Sequence, residues 1–184
     1  MTDLLGFYRG FPEIPHAKAT FTSATPAKTL QKAIAKVAGD LNTQEFVLDT
    51  IAHETSDNCN VGFELGIAES TTFNYLTSEE VNRFITSLTQ KKSVLNIDLL
   101  CIVKYHLASR EKRRPLKFDY YLLRFIFRRP EAQLRVFHER GAQHLSIEEL
   151  VEFLTKQINI ELEKMKAKPL RLETFRHPVP IGNL

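Results

Sequence analysis

The sequence predicts an α+β fold: an antiparallel sheet of about five strands with helices packed on one face, in the order α-ββ-α-βββ-α. Two observations carry this. Apolar residues alternate with a period of two through consecutive segments joined by turn-like stretches, and each run of such segments is followed by one whose apolar residues recur at helical spacing behind a hydroxyl cap.

Residues 1–24 read as a loop-like arm, rich in aromatics and prolines and without a clear period. Thr25 is placed to cap a helix with Pro26 at its first position; Leu30, Ile34 and Val37 then recur at helical spacing until Gly39 stops it. Segments 44–55 and 61–69 read as strands joined through SDNCN, a turn-forming run. In the second, Val61, Phe63, Leu65 and Ile67 alternate with Gly62, Glu64, Gly66 and Ala68, and the small residues of that set let something, such as another chain segment, approach that face.

At Thr77 the period changes. TSEEVNRFITSL is a helix with Thr77 and Glu80 as a capping box and Val81, Phe84, Ile85 and Leu88 as its buried stripe. A long strand follows, alternating from Leu95 to Leu107, with Asn96, Asp98, Lys104 and His106 on its opposite face. SREKRRP connects it to strands 116–128 and 132–138, which flank the turn RRPEA. Ser146 and Glu149 form a second capping box opening a helix over 147–164. The two capped helices share both Glu, a Phe and a Thr in register; duplication is one explanation, but capped amphipathic helices reach this similarity through their common chemistry alone. Residues 25–166 form one domain between the arm and a tail, 167–184, whose Pro169, Pro178 and Pro180 cannot continue the helix. The tail either docks along the sheet as a strand or serves as a partner-binding extension.

Composition narrows the function classes. The chain has 184 residues, 43% hydrophobic and 26% charged, the balance of a soluble globular domain. The first residues do not resemble a signal peptide and no run is long and apolar enough to cross a membrane. The two cysteines, Cys59 and Cys101, are too few for a disulfide framework, so the expected location is the reducing cytoplasm. Net charge is only +3, yet Gln90 to Arg140 holds thirteen Lys or Arg against five Asp or Glu. That asymmetry suggests a basic surface for an anionic partner.

Candidate binding residues follow from the basic stretches. Arg110, Lys112, Arg113, Arg114 and Lys117 lie before one predicted strand or at its start, Arg128 and Arg129 at its end, and Lys104, Arg124 and Arg135 on three consecutive strands bridge the two clusters. With Tyr121 or Phe137 beside them, such a face combines cations for phosphates with rings for bases, as in single-strand binders. The alternative reading is a solvated hairpin whose charges keep a sheet edge soluble. Both faces of LKFDYYLLRFIF are largely apolar, so the second face also needs cover, from the arm, a second copy of the chain or a ligand.

The stretch VFHERGAQHLSIEE offers His138, Glu139 and His144 as acid-base candidates at a strand-to-helix corner. The same residues also make an ordinary corner: His138 continues the inward face of Leu134 and Val136, Gly141 turns the chain, Leu145 staples the helix and Ser146 caps it. A metal site would need His53, His106 or Glu54 from afar and has no zinc spacing, so no metal is assigned. Phosphate-loop, dinucleotide, nucleophile-elbow and HExxH motifs are all missing, and no cofactor is expected. The reading is a binding or assembly module, leaning away from an enzyme, with RNA or single-stranded nucleic acid as first partner and a homodimer through a sheet face as a further expectation. The alternatives are a small-molecule enzyme using the Arg/His/Glu corner, and a protein-binding subunit without nucleic-acid contact.

Overall fold

The computed structural model describes residues 4–53, 59–90, 93–107 and 117–178. In chain order the elements are β1 (Ala17–Thr22), α1 (Ala27–Leu41), β2 (Glu45–Val47) with a short 3-10 turn over Leu48–Thr50, β3 (Cys59–Glu69), β4 (Thr72–Tyr75), α2 (Ser78–Gln90), β5 (Asn96–Leu107), β6 (Lys117–Arg128), β7 (Glu131–Gly141), α3 (Ile147–Lys164) and β8 (Arg171–Arg176). The strands form one sheet of eight in the order β2-β3-β5-β6-β7-β1-β8, with β4 added beside β3. Each ladder between these strands is antiparallel. The α+β class therefore holds, while the expected five strands and their order do not.

The three additional strands have one cause. β1 lies inside the aperiodic arm, β8 inside the proline-flanked tail, and β4 is only four residues long. β1 does alternate, burying Ala17, Ala19 and Phe21, but alanines carry little hydrophobic signal. What makes both terminal segments strands is pairing with partners distant in sequence: β1 takes β7 on one edge and β8 on the other. Conversely, the strand expected over 44–55 ends at Val47, where the Thr50 hydroxyl donates to the Val47 carbonyl at 2.6 Å and closes a turn.

The helices cover one sheet face and share one apolar core with its inward strand residues, among them Phe63, Leu65, Leu99, Leu123, Leu134 and Val136. α3 begins as expected, with Ser146 accepting from the Glu149 amide at 3.1 Å, and α2 likewise, with Thr77 accepting from the Glu80 amide at 3.3 Å. α1 departs from expectation at both ends. Pro26 occupies the cap position, and the Thr25 hydroxyl instead donates to the Lys168 carbonyl at 2.8 Å, tying the helix start to the tail. Gly39 does not stop the helix, which runs to Leu41. A Cβ at Gly39 would lie 2.6 Å from Val81 Cγ2, so this glycine lets α2 pack closely against α1.

The arm is also part of the sheet. Gly6 sits where β3 and β5 diverge, its amide donating to the Ala68 carbonyl and its carbonyl accepting from the Asp98 amide, both at 2.7 Å. The other edge of β3 is completed by a side chain. Asn42 accepts from the Leu65 amide at 2.6 Å and donates to the Leu65 and Leu76 carbonyls, each at 3.1 Å, so its amide replaces a missing length of neighbouring strand.

Candidate nucleic-acid interface on the open sheet face

Directly opposed residues of an antiparallel sheet share a face, so the registers show which side chains stand on the face opposite the helices. One transverse row reads Asp98, Arg124, Arg135, Lys18, Arg176 across β5, β6, β7, β1 and β8. Four cations and a single carboxylate thus stand in line over roughly 19 Å, four strand spacings. The next row is Leu100, Leu122 and Phe137, continued by His16, whose ring stacks on Phe137 at 4.3 Å and 12°. Beyond it lie Ile102 and Tyr120, with the Arg140 guanidinium 4.2 Å above the Tyr120 ring centroid. Leu100, Ile102, Tyr120 and Phe137 are only half-buried.

Asp98 and Arg124 neutralise each other. Arg124 Nε donates to Asp98 Oδ1 and Nη2 to Asp98 Oδ2, each at 2.7 Å, and the two side chains are 18% and 1% exposed. The arm closes over this fork. The Tyr8 amide donates to Asp98 Oδ2 at 2.7 Å, Arg124 Nη2 donates to the Tyr8 carbonyl at 3.1 Å, and the guanidinium lies 4.4 Å from the Phe11 ring centroid and 5.4 Å from that of Phe7. The arm supplies part of the cover that the second sheet face required, and Arg124 is occupied in holding it.

The rest of the row keeps its charge. Among the described residues no carboxylate lies within ion-pair reach of Lys18, Arg135, Arg140 or Arg176. Arg135 Nε donates to the neutral amide of Gln133 at 2.7 Å. Burial, and after it the charges of Arg124 and Arg128, hold the Arg135 guanidinium below its ordinary value, the mark of a cation with cationic neighbours.

The remaining expected residues are dispersed. Lys104 shares the open face but lies along β5 from the cation row and pairs with Glu64 at 2.8 Å. Lys117, Arg128 and Arg129 are exposed at the two ends of β6. Arg110, Lys112, Arg113, Arg114 and the metal candidate Glu54 lie outside the described residues. Phe137 belongs to the open face, whereas Tyr121, its proposed alternate, is fully buried on the helix side.

The corner around His138 is built from the helix side. Asp119, fully buried, accepts at Oδ2 from the Tyr105 hydroxyl at 2.6 Å and at Oδ1 from the Gln143 amide at 2.7 Å, with His138 Nε2 2.9 Å from Oδ1. Tyr105 in turn accepts from the Leu145 amide at 3.0 Å, and the Tyr121 hydroxyl donates to the Leu145 carbonyl at 2.8 Å. Gly141, at φ 125°, brings the turn onto Asp119 in a conformation L residues rarely adopt. Glu139 is exposed at a register shift, and exposed His144 lies edge-on to Tyr105 at 5.1 Å, so neither joins His138 on the carboxylate. Burial, and secondarily the Asp119 charge, push both phenols far above their ordinary range.

The Asp119 network was missed from the sequence, although a lone acid inside the apolar strand LKFDYYLLRFIF was an available signal. Lys18, His16 and Arg176 were missed because β1 and β8 were. Among the described residues no three His, Cys, Asp or Glu side chains converge as metal ligands, and no helix is long and apolar enough to cross a membrane. Comparison with family models, curated proteins and solved structures found no match to this chain, so its function is read from its own residues.

Proposed function

We propose that the open sheet face binds single-stranded nucleic acid, RNA first, and that the protein is a binding module. The observation that carries this is the row Arg135, Lys18, Arg176, three cations in one register with no ion-pair partner among the described residues, flanked by the rings of Phe137, His16 and Tyr120. Cations spaced by strand pairing follow a phosphate backbone, while half-buried rings and an Arg-covered Tyr offer stacking surfaces for unpaired bases.

The homodimer reading is weaker on this face, because a two-fold axis through the cation row would set like charges against each other. The enzyme reading has less support still: the Asp119 carboxylate is fully buried, and its hydrogen bonds are spent on Tyr105, His138 and the turn before α3.

The test is fluorescence anisotropy with labelled single-stranded RNA and DNA across a salt series. Wild type should bind with affinity falling steeply with salt. The triple variant Lys18→Ala/Arg135→Ala/Arg176→Ala should lose most of that affinity and lower the salt slope by about two, three phosphate contacts at about 0.7 each. Undiminished binding by a variant with an unchanged circular-dichroism spectrum would remove this face as the interface.

A further inference from the structure

At the other end of the open face, β2, β3 and β5 enclose a solvent-open cleft of about 500 Å³, lined by Asn42, Gln44, Glu45, Gly62, Lys104 and His106 among others. Lys104 is six residues along β5 from Asp98, roughly 20 Å from the cation row. His106 is only 7% exposed, and its Nδ1 is buried without a hydrogen-bond partner among the described residues. The ring's other nitrogen, Nε2, is the one on the Gly62 side of the cleft, 3.6 Å from where a Cβ at that glycine would stand.

The chemistry of the lining indicates the ligand. Lys104 and His106 are alternate residues of β5 and stand on the same face, giving an ammonium and an imidazole beside one opening. Lys104 is held by Glu64, whose carboxylate is 43% exposed; such a pair exchanges readily for a stronger anion. The Asn42 amide is fully engaged with Leu65 and Leu76 and serves as wall, whereas Gln44 is exposed and has a hydrogen-bonding edge to offer. The volume lies within the range of small-molecule pockets, roughly 300–1,000 Å³.

We propose that this cleft binds a nucleotide-sized phosphomonoester, the phosphate between Lys104 and His106 and the organic part toward Gln44. The ligand is either a free mononucleotide or the phosphorylated end of a strand; both present the same group to the same side chains. The site does not rest on the open-face reading, because none of its residues belongs to the cation row.

The test follows the imidazole nitrogens of His106 by NMR of the 15N-histidine-labelled full chain, assigned through His106→Gln. Millimolar adenosine 5′-monophosphate and inorganic phosphate should each shift the His106 signals, and adenosine should not. Gly62→Val should abolish the shift, since a Cβ there would already stand in contact with His106 Nε2 at 3.6 Å and Lys104 Cε at 3.8 Å, and the valine methyls extend beyond it. Lys104→Gln should weaken the mononucleotide titration of the His106 signals about tenfold, or 1.4 kcal/mol, while Lys18→Ala/Arg135→Ala/Arg176→Ala should leave that His106 titration unchanged. A trinucleotide carrying a 5′-phosphate that shifts His106 where the mononucleotide does not assigns the site to a strand end. A shift by adenosine equal to that by the mononucleotide, or a full shift retained in Gly62→Val, would overturn the proposal, as would the failure of every phosphorylated probe to move the His106 signals.

Discussion

Lys18 on β1 and Arg135 on β7 stand directly opposite each other in an antiparallel pair, two cations at one register position with no ion pair to either among the described residues. Like charges placed this way destabilise a sheet, and Arg124 and Arg128 add to the crowding around Arg135. An arrangement that opposes folding but suits an anion links stability to the proposed function. Lys18→Thr, neutral and β-branched, should therefore raise unfolding stability by about 0.2–1 kcal/mol. The same change should weaken RNA binding and reduce its salt slope by roughly one contact. Urea denaturation beside anisotropy measures both; a variant neither more stable nor weaker in binding would break the link.

Removing half of the buried fork leaves its partner charged and alone. Arg124→Ala or Asp98→Asn should cost about 3–5 kcal/mol, and replacing both by leucine should recover a large part. Because Arg124 also holds Tyr8, Phe7 and Phe11, trypsin should cut after Arg9 much faster in Arg124→Ala than in wild type. Equal cutting rates would show that the arm is held by Gly6 and its sheet contacts instead.

The corner residues should separate from binding. His138→Ala removes one bond to Asp119 and should destabilise the chain by about 1–3 kcal/mol, with RNA affinity unchanged because the ring lies on the helix side of β7. Loss of RNA affinity in a folded His138→Ala variant would move the interface to the corner.

Alkaline pH should attack the same region. Burial pushes the Cys101 thiol from 9.0 to about 12 and raises the phenols of Tyr105 and Tyr121 still further. Groups whose acidity is suppressed by folding stabilise fully below their unfolded values, and that contribution is lost as pH rises toward the folded ones. Stability should thus be level up to about pH 9, the ordinary value of that thiol, and fall progressively above it. Absorbance titration should find the Tyr105 and Tyr121 phenols ionising only together with unfolding. Cys101→Ala should lower stability at neutral pH yet flatten the early part of the decline.

Asn42 stands in for a piece of strand, so its two amide ends are not interchangeable. Asn42→Ala orphans the backbone of Leu65 and should cost about 1–3 kcal/mol. Asn42→Asp keeps an acceptor for the Leu65 amide but turns a carboxylate oxygen toward the Leu65 and Leu76 carbonyls, and should be the worse of the two in thermal unfolding.

The parts of the fold that were legible beforehand are those set by local chemistry. The hydroxyl caps at Thr77 and Ser146, the alternation of β3, β5 and β6, and the corner at Gly141 all depend on neighbours within a few residues. β1, β4 and β8 were not legible, because AKATFT, TFNY and RLETFR are short or weakly apolar and become strands only when a distant edge accepts them. The same limit applied to the site. Arg124 and Arg135 look alike along the chain, and only the β5–β6 register, which sets Asp98 opposite Arg124, distinguishes a committed cation from a free one. Gly39 read as a stop because a glycine that ends a helix and one that admits a neighbour are identical letters.

The position of β1 between β7 and β8 has a consequence for how the chain is made. Thr22 hydrogen-bonds Glu173 across 151 residues, so during synthesis β1 has no edge to pair with until β7 has been made, and its second edge stays open until β8 follows. Loops of that span close slowly, and until they close, Ala17, Ala19 and Phe21 lie open to any other unpaired edge. A sheet threaded in this order leaves β1 waiting on strands far along the chain, so synthesis, more than the finished protein, is the period in which its edges are open to a wrong partner.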